Sequence, residues 1–180
     1  ITIGVFDYES TGNDAWGTGY LKDVRISSNA RYSSNFTAST EPLTADSDTT
    51  LLTCHLPYIA DGSTNAHTVT PNGNVSTRPL APYDGQEYSA AAHLGSAHFD
   101  GTGDYLASDN NNIGNFGTGD FTIEGWFYVR DRDALYTVLD GRPTTLTSAT
   151  GWSVAISTAG TLYVYSGGFH ITGPAGAVTT

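Results

Sequence analysis

Alternation of apolar and polar residues with a period of two is the feature that most constrains the fold of this chain. Residues 121–129 (FTIEGWFYV) show it most clearly. One face of this segment carries Phe121, Ile123, Phe127 and Val129. The opposite face carries Thr122, Glu124, Trp126 and Tyr128. Side chains that point alternately to two faces are typical of a β-strand, and no segment has a convincing helical period.

Short segments of the same kind recur at a spacing of about ten residues. They are residues 1–6, 20–26, 50–58, 134–140, 151–157 and 161–166. The chain has 21 Gly and only 14% charged residues, which is typical of short strands joined by tight turns rather than of helices. The sequence therefore predicts an all-β protein with an antiparallel sandwich or jelly-roll fold.

Two segments predict β-hairpins. Residues 67–77 place Asn72-Gly73 at the turn, and residues 96–108 place Thr102-Gly103 there. Gly supplies the positive φ angle that such tight turns need. In residues 20–26 (YLKDVRI) the apolar positions depart from strict alternation, which indicates a β-bulge or a strand end.

The charge of the chain excludes several classes of partner. The net charge is −11, with only seven Lys and Arg residues. Such a surface repels phosphate backbones and anionic membrane surfaces, so we expect no nucleic-acid partner. No apolar run approaches the roughly 20 residues of a membrane-spanning helix, so we expect no membrane insertion.

The single cysteine, Cys54, cannot form an intramolecular disulfide. Leu51, Leu52 and Leu56 flank it, and this predicts a buried structural thiol rather than a nucleophile. The five histidines lack the spacing of a zinc site.

Several segments carry a family resemblance. Residues 97–106 (AHFDGTGDYL), 116–129 (FGTGDFTIEGWFYV) and 151–168 (GWSVAISTAGTLYVYSGG) resemble the front half of a laminin-G-like domain, which has the concanavalin-A-like lectin/glucanase jelly-roll fold. Residues 17–40 (GTGYLKDVRISSNARYSSNFTAST) resemble its closing strands and C-terminal arm. The laminin-G-like domains that these segments resemble are those found in tandem in large structural proteins of cyanophages and other marine phages.

The closing segment of this resemblance comes before the opening segment. We therefore expect residues 1–45 to be the C-terminal strands and arm of one laminin-G-like domain. Residues 46–50 are then a linker, and residues 51–180 are the N-terminal part of a second such domain. Two alternatives stay open: one permuted domain, or a domain completed by strand exchange with a neighbouring copy.

Aromatic residues predict a glycan-binding surface. The candidates are Trp126, Tyr128, Tyr163 and Tyr165, with Glu124 beside them. Sugar rings stack on aromatic faces, and nearby carboxylates bind hydroxyl groups. The resemblance also implies a concave sheet that often binds glycan. The alternative is that these aromatics pack under a loop or against a neighbouring module.

A structural calcium is the cofactor that the resemblance implies, with Asp23 and Asp100 as ligands. Carboxylate and backbone oxygens suit this ion. The alternative is that these residues cap turns. Glycoside hydrolysis needs two positioned carboxylates, and the predicted central strand offers only Glu124, so we expect no enzymatic activity.

The resemblance thus implies a structural module of a phage virion protein, such as a fibre, tail or decoration component, that contributes to attachment to host-surface glycan. A carbohydrate-binding adhesin module of a phage or bacterial surface protein is the alternative, and a glycoside hydrolase is a remote one. The expected partners are other virion subunits, copies of the same chain and cell-surface glycan. The expected location is the virion or an extracellular surface.

Overall fold

A computed structural model describes residues 1–6, 15–83, 87–109, 113–130, 135–142, 151–166 and 169–178. These residues form an all-β structure with one short helix. The strands are β1 (Thr2–Ile3), β2 (Val5–Phe6), β3 (Ala15–Trp16), β4 (Thr18–Ser27), β5 (Thr49–Thr53), β6 (Val69–Asn72), β7 (Ser76–Arg78), β8 (Ser96–Asp100), β9 (Tyr105–Ser108), β10 (Thr122–Val129), β11 (Tyr136–Asp140), β12 (Trp152–Ile156), β13 (Leu162–Ser166) and β14 (Phe169–Thr172). The helix α1 spans Ala90–His93.

The strands form two main antiparallel sheets, as the sequence predicts. The large sheet has the order β14-β13-β12-β11-β1-β9-β6. The small sheet has the order β10-β4-β8-β7, and β5 also pairs with β4. A third pair, β2 with β3, completes the described pairings.

The hydrophobic core lies between the two sheets. The large sheet contributes Ile3, Leu106, Val138, Val154 and Ile156. The small sheet contributes Leu21, Val24, Ile26, Phe99 and Val129. Each set comes from the apolar side of alternating strands, so burial of these two faces against each other stabilises the sandwich.

Strands from both predicted domain segments share these sheets. Within the small sheet, β4 pairs with β5, β8 and β10. Within the large sheet, β1 pairs with β9 and β11. Within the predicted linker, residues 46–50, a turn is formed at residues 47–48, and residues 49–50 already belong to β5. Residues 1–45 and residues 51–180 thus form common sheets in this chain. Their assignment to two successive laminin-G-like domains stays a prediction.

The two predicted hairpins are wrong in their pairing. The strand β6 pairs with β9 in the large sheet, whereas β7 pairs with β8 in the small sheet. The turns at Gly73 and Gly103 have the expected positive φ angles of 71° and 72°. They reverse the chain between sheets instead of within one, because a Gly turn fixes the reversal and not the partner of each strand.

The predicted bulge in residues 20–26 is confirmed. The register between β4 and β10 shifts between Glu124 and Trp126, opposite Asp23, which has a φ of 53°. A side chain at Gly125 would meet the Val24 Cα at 3.2 Å and the Asp23 carbonyl oxygen at 3.3 Å. The bulge therefore turns both Lys22 and Asp23 to the outer side of the small sheet.

Candidate functional site

The aromatic candidates lie on two different sheets. Trp126 and Tyr128 are on β10 in the small sheet, whereas Tyr163 and Tyr165 are on β13 in the large sheet. The neighbours Phe127, Leu162 and Val164 pack against the core. Because side chains alternate, the four aromatics point away from the core on opposite faces of the sandwich. The structure therefore forms two aromatic surfaces, and not the single surface that the sequence suggests.

The large-sheet surface is a pair of stacked tyrosines. The rings of Tyr163 and Tyr165 are 5.9 Å apart and inclined by 18°. His170 lies opposite Tyr165 on β14, with the two rings 6.1 Å apart. This pair offers one stacking platform near the edge of the large sheet.

Glu124 lies on the small sheet and so does not share a surface with Tyr163 and Tyr165. Its Oε1 accepts hydrogen bonds from Arg25 Nε at 2.9 Å and Arg25 Nη2 at 2.7 Å. Its Oε2 accepts a hydrogen bond from the Tyr32 hydroxyl at 2.5 Å. Arg25 also donates to the Thr44 carbonyl at 2.7 Å. Glu124 thus anchors the segment that follows β4 to the small sheet.

Trp126 also has a packing partner. Its ring meets the edge of the Tyr83 ring at 5.9 Å and nearly at a right angle. Tyr83 is buried and belongs to the segment that covers this part of the small sheet. The alternative from the sequence, packing under a loop, describes Trp126 better than an open binding surface does.

Tyr128 belongs instead to a row of three aromatic rings that crosses the small sheet. Tyr20 on β4 pairs with Tyr128 on one side and with His98 of β8 on the other. The Tyr20 ring is 6.0 Å from the Tyr128 ring and 4.8 Å from the His98 ring. Tyr128 is 52% exposed, and the other two are half-buried. We call these three residues the aromatic row.

Sequence reasoning missed two members of this row. Tyr20 precedes the apolar Leu21, so alternation places it on the outer face, and that signal was available. Nothing in the sequence indicates that β8 pairs with β4, so the position of His98 next to Tyr20 could not be inferred. Cross-strand neighbours on one face need the sheet order as well as the alternation.

Two arginines flank the aromatic row. Arg130 follows Tyr128 by two residues, and its backbone N–H donates to the Thr18 carbonyl at 3.0 Å. Arg78 on β7 pairs with Ser96 on β8 and lies two residues from Ser76, which pairs with His98. Alternation places both arginines on the same outer face as the row. Both side chains are exposed.

The outer side of the bulge holds a buried ion pair. Lys22 Nζ lies 3.5 Å from Asp23 Oδ1, and both side chains are fully buried. The ammonium donates to the His93 carbonyl at 2.6 Å and to the Gly95 carbonyl at 3.0 Å. Burial lowers the pKa of Lys22, and the charge of Asp23 opposes that change.

The surroundings of Asp23 do not fit a calcium site. Its Oδ2 accepts hydrogen bonds from the Tyr83 hydroxyl at 2.6 Å and the Leu43 N–H at 3.2 Å. The Lys22 ammonium occupies the place that a cation would take, with backbone carbonyls around it. The described part of the chain holds no group of three acidic, His or Cys side chains that could bind a metal.

Asp100 lies elsewhere on the small sheet. It pairs with Thr18, five residues along β4 from Asp23, which corresponds to about 16 Å. The exposed Asp100 carboxylate accepts the Thr102 N–H at 2.8 Å, the turn-capping role that the sequence offers as the alternative. The structure therefore does not bring the two predicted calcium ligands together.

A cleft of about 500 Å³ opens between the two sheets. Its lining is mainly aliphatic and aromatic, and includes Phe36, Ile123, Phe127, Leu162 and Ile171. Glu124 and Tyr32 are among its few polar residues, and they bind each other. This lining lacks the array of hydrogen-bonding groups that a sugar needs, so the cleft does not have the chemistry of a glycan-binding site.

The predicted buried thiol is confirmed, and it gives an expected pH dependence. Cys54 is 1% exposed, and burial raises its pKa to about 12 from the usual 9.0. Between those values the unfolded chain loses the thiol proton while the folded chain keeps it. We expect this group to lower the free energy of unfolding by up to about 1.4 kcal/mol per pH unit above pH 9.

Urea unfolding at pH 8, 9 and 10 measures this effect. Cys54→Ala should flatten the decline relative to the wild-type chain. Comparison of the two chains isolates the thiol, because Tyr83, whose pKa burial also raises, is present in both. Parallel curves for the two chains would contradict the assignment.

Comparisons with protein-family models, with curated proteins and with solved structures find no match for this chain. No helix among the residues in the described ranges is long and apolar enough to span a membrane.

Proposed function

We propose that this chain is a carbohydrate-binding β-sandwich module that attaches a larger structural protein to glycan. The observation that supports it is the aromatic row on the outer face of the small sheet. Tyr128, Tyr20 and His98 offer three rings in line on adjacent strands. Rings in a line suit a sugar chain better than a single sugar, because successive sugar rings can each lie on an aromatic surface.

The wider context of the proposal rests on the family resemblance. Its segments resemble laminin-G-like jelly rolls of phage structural proteins, so we propose a virion fibre, tail or decoration component on an exposed surface. Its partners would be other virion subunits, copies of this chain and host-surface glycan. A bacterial or phage adhesin module would use the same aromatic row.

Binding without catalysis is part of this proposal. The candidate carboxylate, Glu124, is held by Arg25 and Tyr32. A glycosidase acid or nucleophile must reach the scissile bond with a second carboxylate opposite it. Glu124 instead stabilises the fold, so we expect a bound sugar chain to be released without hydrolysis.

Tyr128→Ala tests the proposal. We expect it to weaken binding about tenfold or more, because it removes the most exposed ring of the row. The measurement is affinity gel electrophoresis in dextran, polygalacturonate and dextran sulfate. Tyr165→Ala is the matched control, since it removes a similarly exposed ring from the other sheet.

Retardation that Tyr165→Ala abolishes and Tyr128→Ala leaves intact would move the site to the large sheet. Binding that neither substitution changes would place it outside both aromatic surfaces. Far-UV circular dichroism of both variants should match the wild-type spectrum, because both side chains are substantially exposed.

A further inference from the structure

We propose that the glycan bound by the aromatic row is acidic, a sugar chain that carries carboxylate or sulfate groups held by Arg78 and Arg130. This inference rests on the proposed function and adds the chemical class of the ligand. Two independent features support it: the flanking arginines and the way the other cations of the chain are used.

The other described cations are already neutralised. Each has a carboxylate within ion-pair distance: Lys22 with Asp23, Arg25 with Glu124, Arg31 with Asp46 and Arg142 with Asp140. Within the described ranges, no such pair is found for Arg78 or Arg130. The only lysine and the other three described arginines therefore serve the fold. Arg78 and Arg130, which have no such pair within the described residues, lie on the face with the aromatic row.

The two arginines lie at diagonally opposite corners of the row, so a sugar chain that crosses the row obliquely would pass both. Arg130 lies two residues from Tyr128, just past the end of β10 and on one side of the row, where its N–H binds the Thr18 carbonyl. Arg78 lies on β7, one strand beyond His98, and is displaced two residues to the other side of the row. Both charges act on His98, whose pKa is lowered first by burial and then by Arg78 and Arg130, while Asp104 and Asp100 act in the opposite direction. A neutral His98 can accept or donate a hydrogen bond to a sugar hydroxyl.

Arginine is suited to this role. Its planar guanidinium binds carboxylate and sulfate oxygens through two parallel hydrogen bonds. The chain as a whole carries a net charge of −11, which repels a polyanion at a distance. An acidic sugar chain would therefore bind through local contacts with the two arginines, and not through a positive field of the whole protein.

An acidic side chain also lies near the face, and its geometry is compatible with the proposal. Asp100 is in register with Thr18, which separates it from Arg130. Its Oδ1 accepts the Thr102 N–H, so the carboxylate is directed to its own turn. Asp104 is fully buried and binds backbone N–H groups. Neither neutralises an arginine in the described structure.

The test compares two pairs of polymers, and the members of each pair share a backbone but differ in charge. Polygalacturonate and its fully methyl-esterified form share the same ring and linkage, and dextran sulfate and dextran make a second pair. We expect the wild-type chain to bind the charged member of at least one pair about tenfold or more tightly than its neutral partner. Isothermal titration calorimetry gives both dissociation constants.

Arg78→Gln and Arg130→Gln should each weaken binding of the acidic member about fivefold. The double variant should lose the preference for charge. Thr158→Glu with Ala175→Glu is the matched control, because it lowers the net charge equally at exposed positions near the far edge of the large sheet. We expect that control to retain the preference.

The outcomes separate this inference from the proposed function. Equal binding of charged and neutral members, still abolished by Tyr128→Ala, would overturn the acidic ligand and leave glycan binding in place. A charge preference that the double arginine variant retains would also overturn it. Absence of binding to all four polymers would count against both proposals.

Discussion

Lys22→Met should lower the free energy of unfolding by about 3–5 kcal/mol, a large effect for a single substitution. Removal of the ammonium leaves the fully buried Asp23 carboxylate without its counter-charge. It also leaves the His93 and Gly95 carbonyls without their donor. Because these carbonyls belong to the segment around α1, the substitution should detach that segment from the small sheet. Guanidinium unfolding followed by circular dichroism measures the change.

The double variant Lys22→Met/Asp23→Asn separates charge from packing. An amide in place of the carboxylate removes the uncompensated charge, so the double variant should be more stable than Lys22→Met alone. If Lys22→Met alone lowers the free energy of unfolding by less than about 1 kcal/mol, the ion pair must be accessible to water. Stabilisation of the wild-type chain by added Ca²⁺ would contradict the assignment of Lys22 as the cation beside Asp23.

The position of this ion pair shows what alternation in the sequence can and cannot predict. The pattern in residues 20–26 gives the strand and its bulge, because both are local properties of φ and side-chain direction. It does not give the neighbours of Lys22. The two carbonyls that bind the ammonium are more than 70 residues away along the chain. Contacts of this kind depend on which strands pair, and a strand pattern contains no record of its partner.

The candidate site, too, can be predicted from the sequence only in part. Alternation correctly places Trp126 and Tyr128 on the outer face of one strand and Tyr163 and Tyr165 on the outer face of another. Their assembly into one surface requires both strands to lie in one sheet, and they do not. The aromatic row depends on Tyr20 and His98, which come from strands on either side of the predicted linker. The sheet order that brings them together is a long-range property of the fold.

Asp104→Ala should lower the free energy of unfolding by about 2–4 kcal/mol. Its fully buried carboxylate accepts the Asn74 N–H at 2.6 Å through Oδ1 and the Asp100 N–H at 2.9 Å through Oδ2. These donors belong to the two turns that carry the chain between sheets. Truncation would leave both N–H groups without an acceptor and loosen the contact between the turns.

Asp100→Ala is the matched control for this substitution. It removes the same functional group from the same turn, but the Asp100 carboxylate is exposed and accepts only the Thr102 N–H within the described structure. We expect it to cost less than about 1 kcal/mol, since water can replace an exposed hydrogen bond. Similar costs for both variants would mean that Asp104 does not tie the turns together. A clear excess for Asp104→Ala would show that the two Gly turns depend on one buried carboxylate, although the sequence predicts them as independent hairpins.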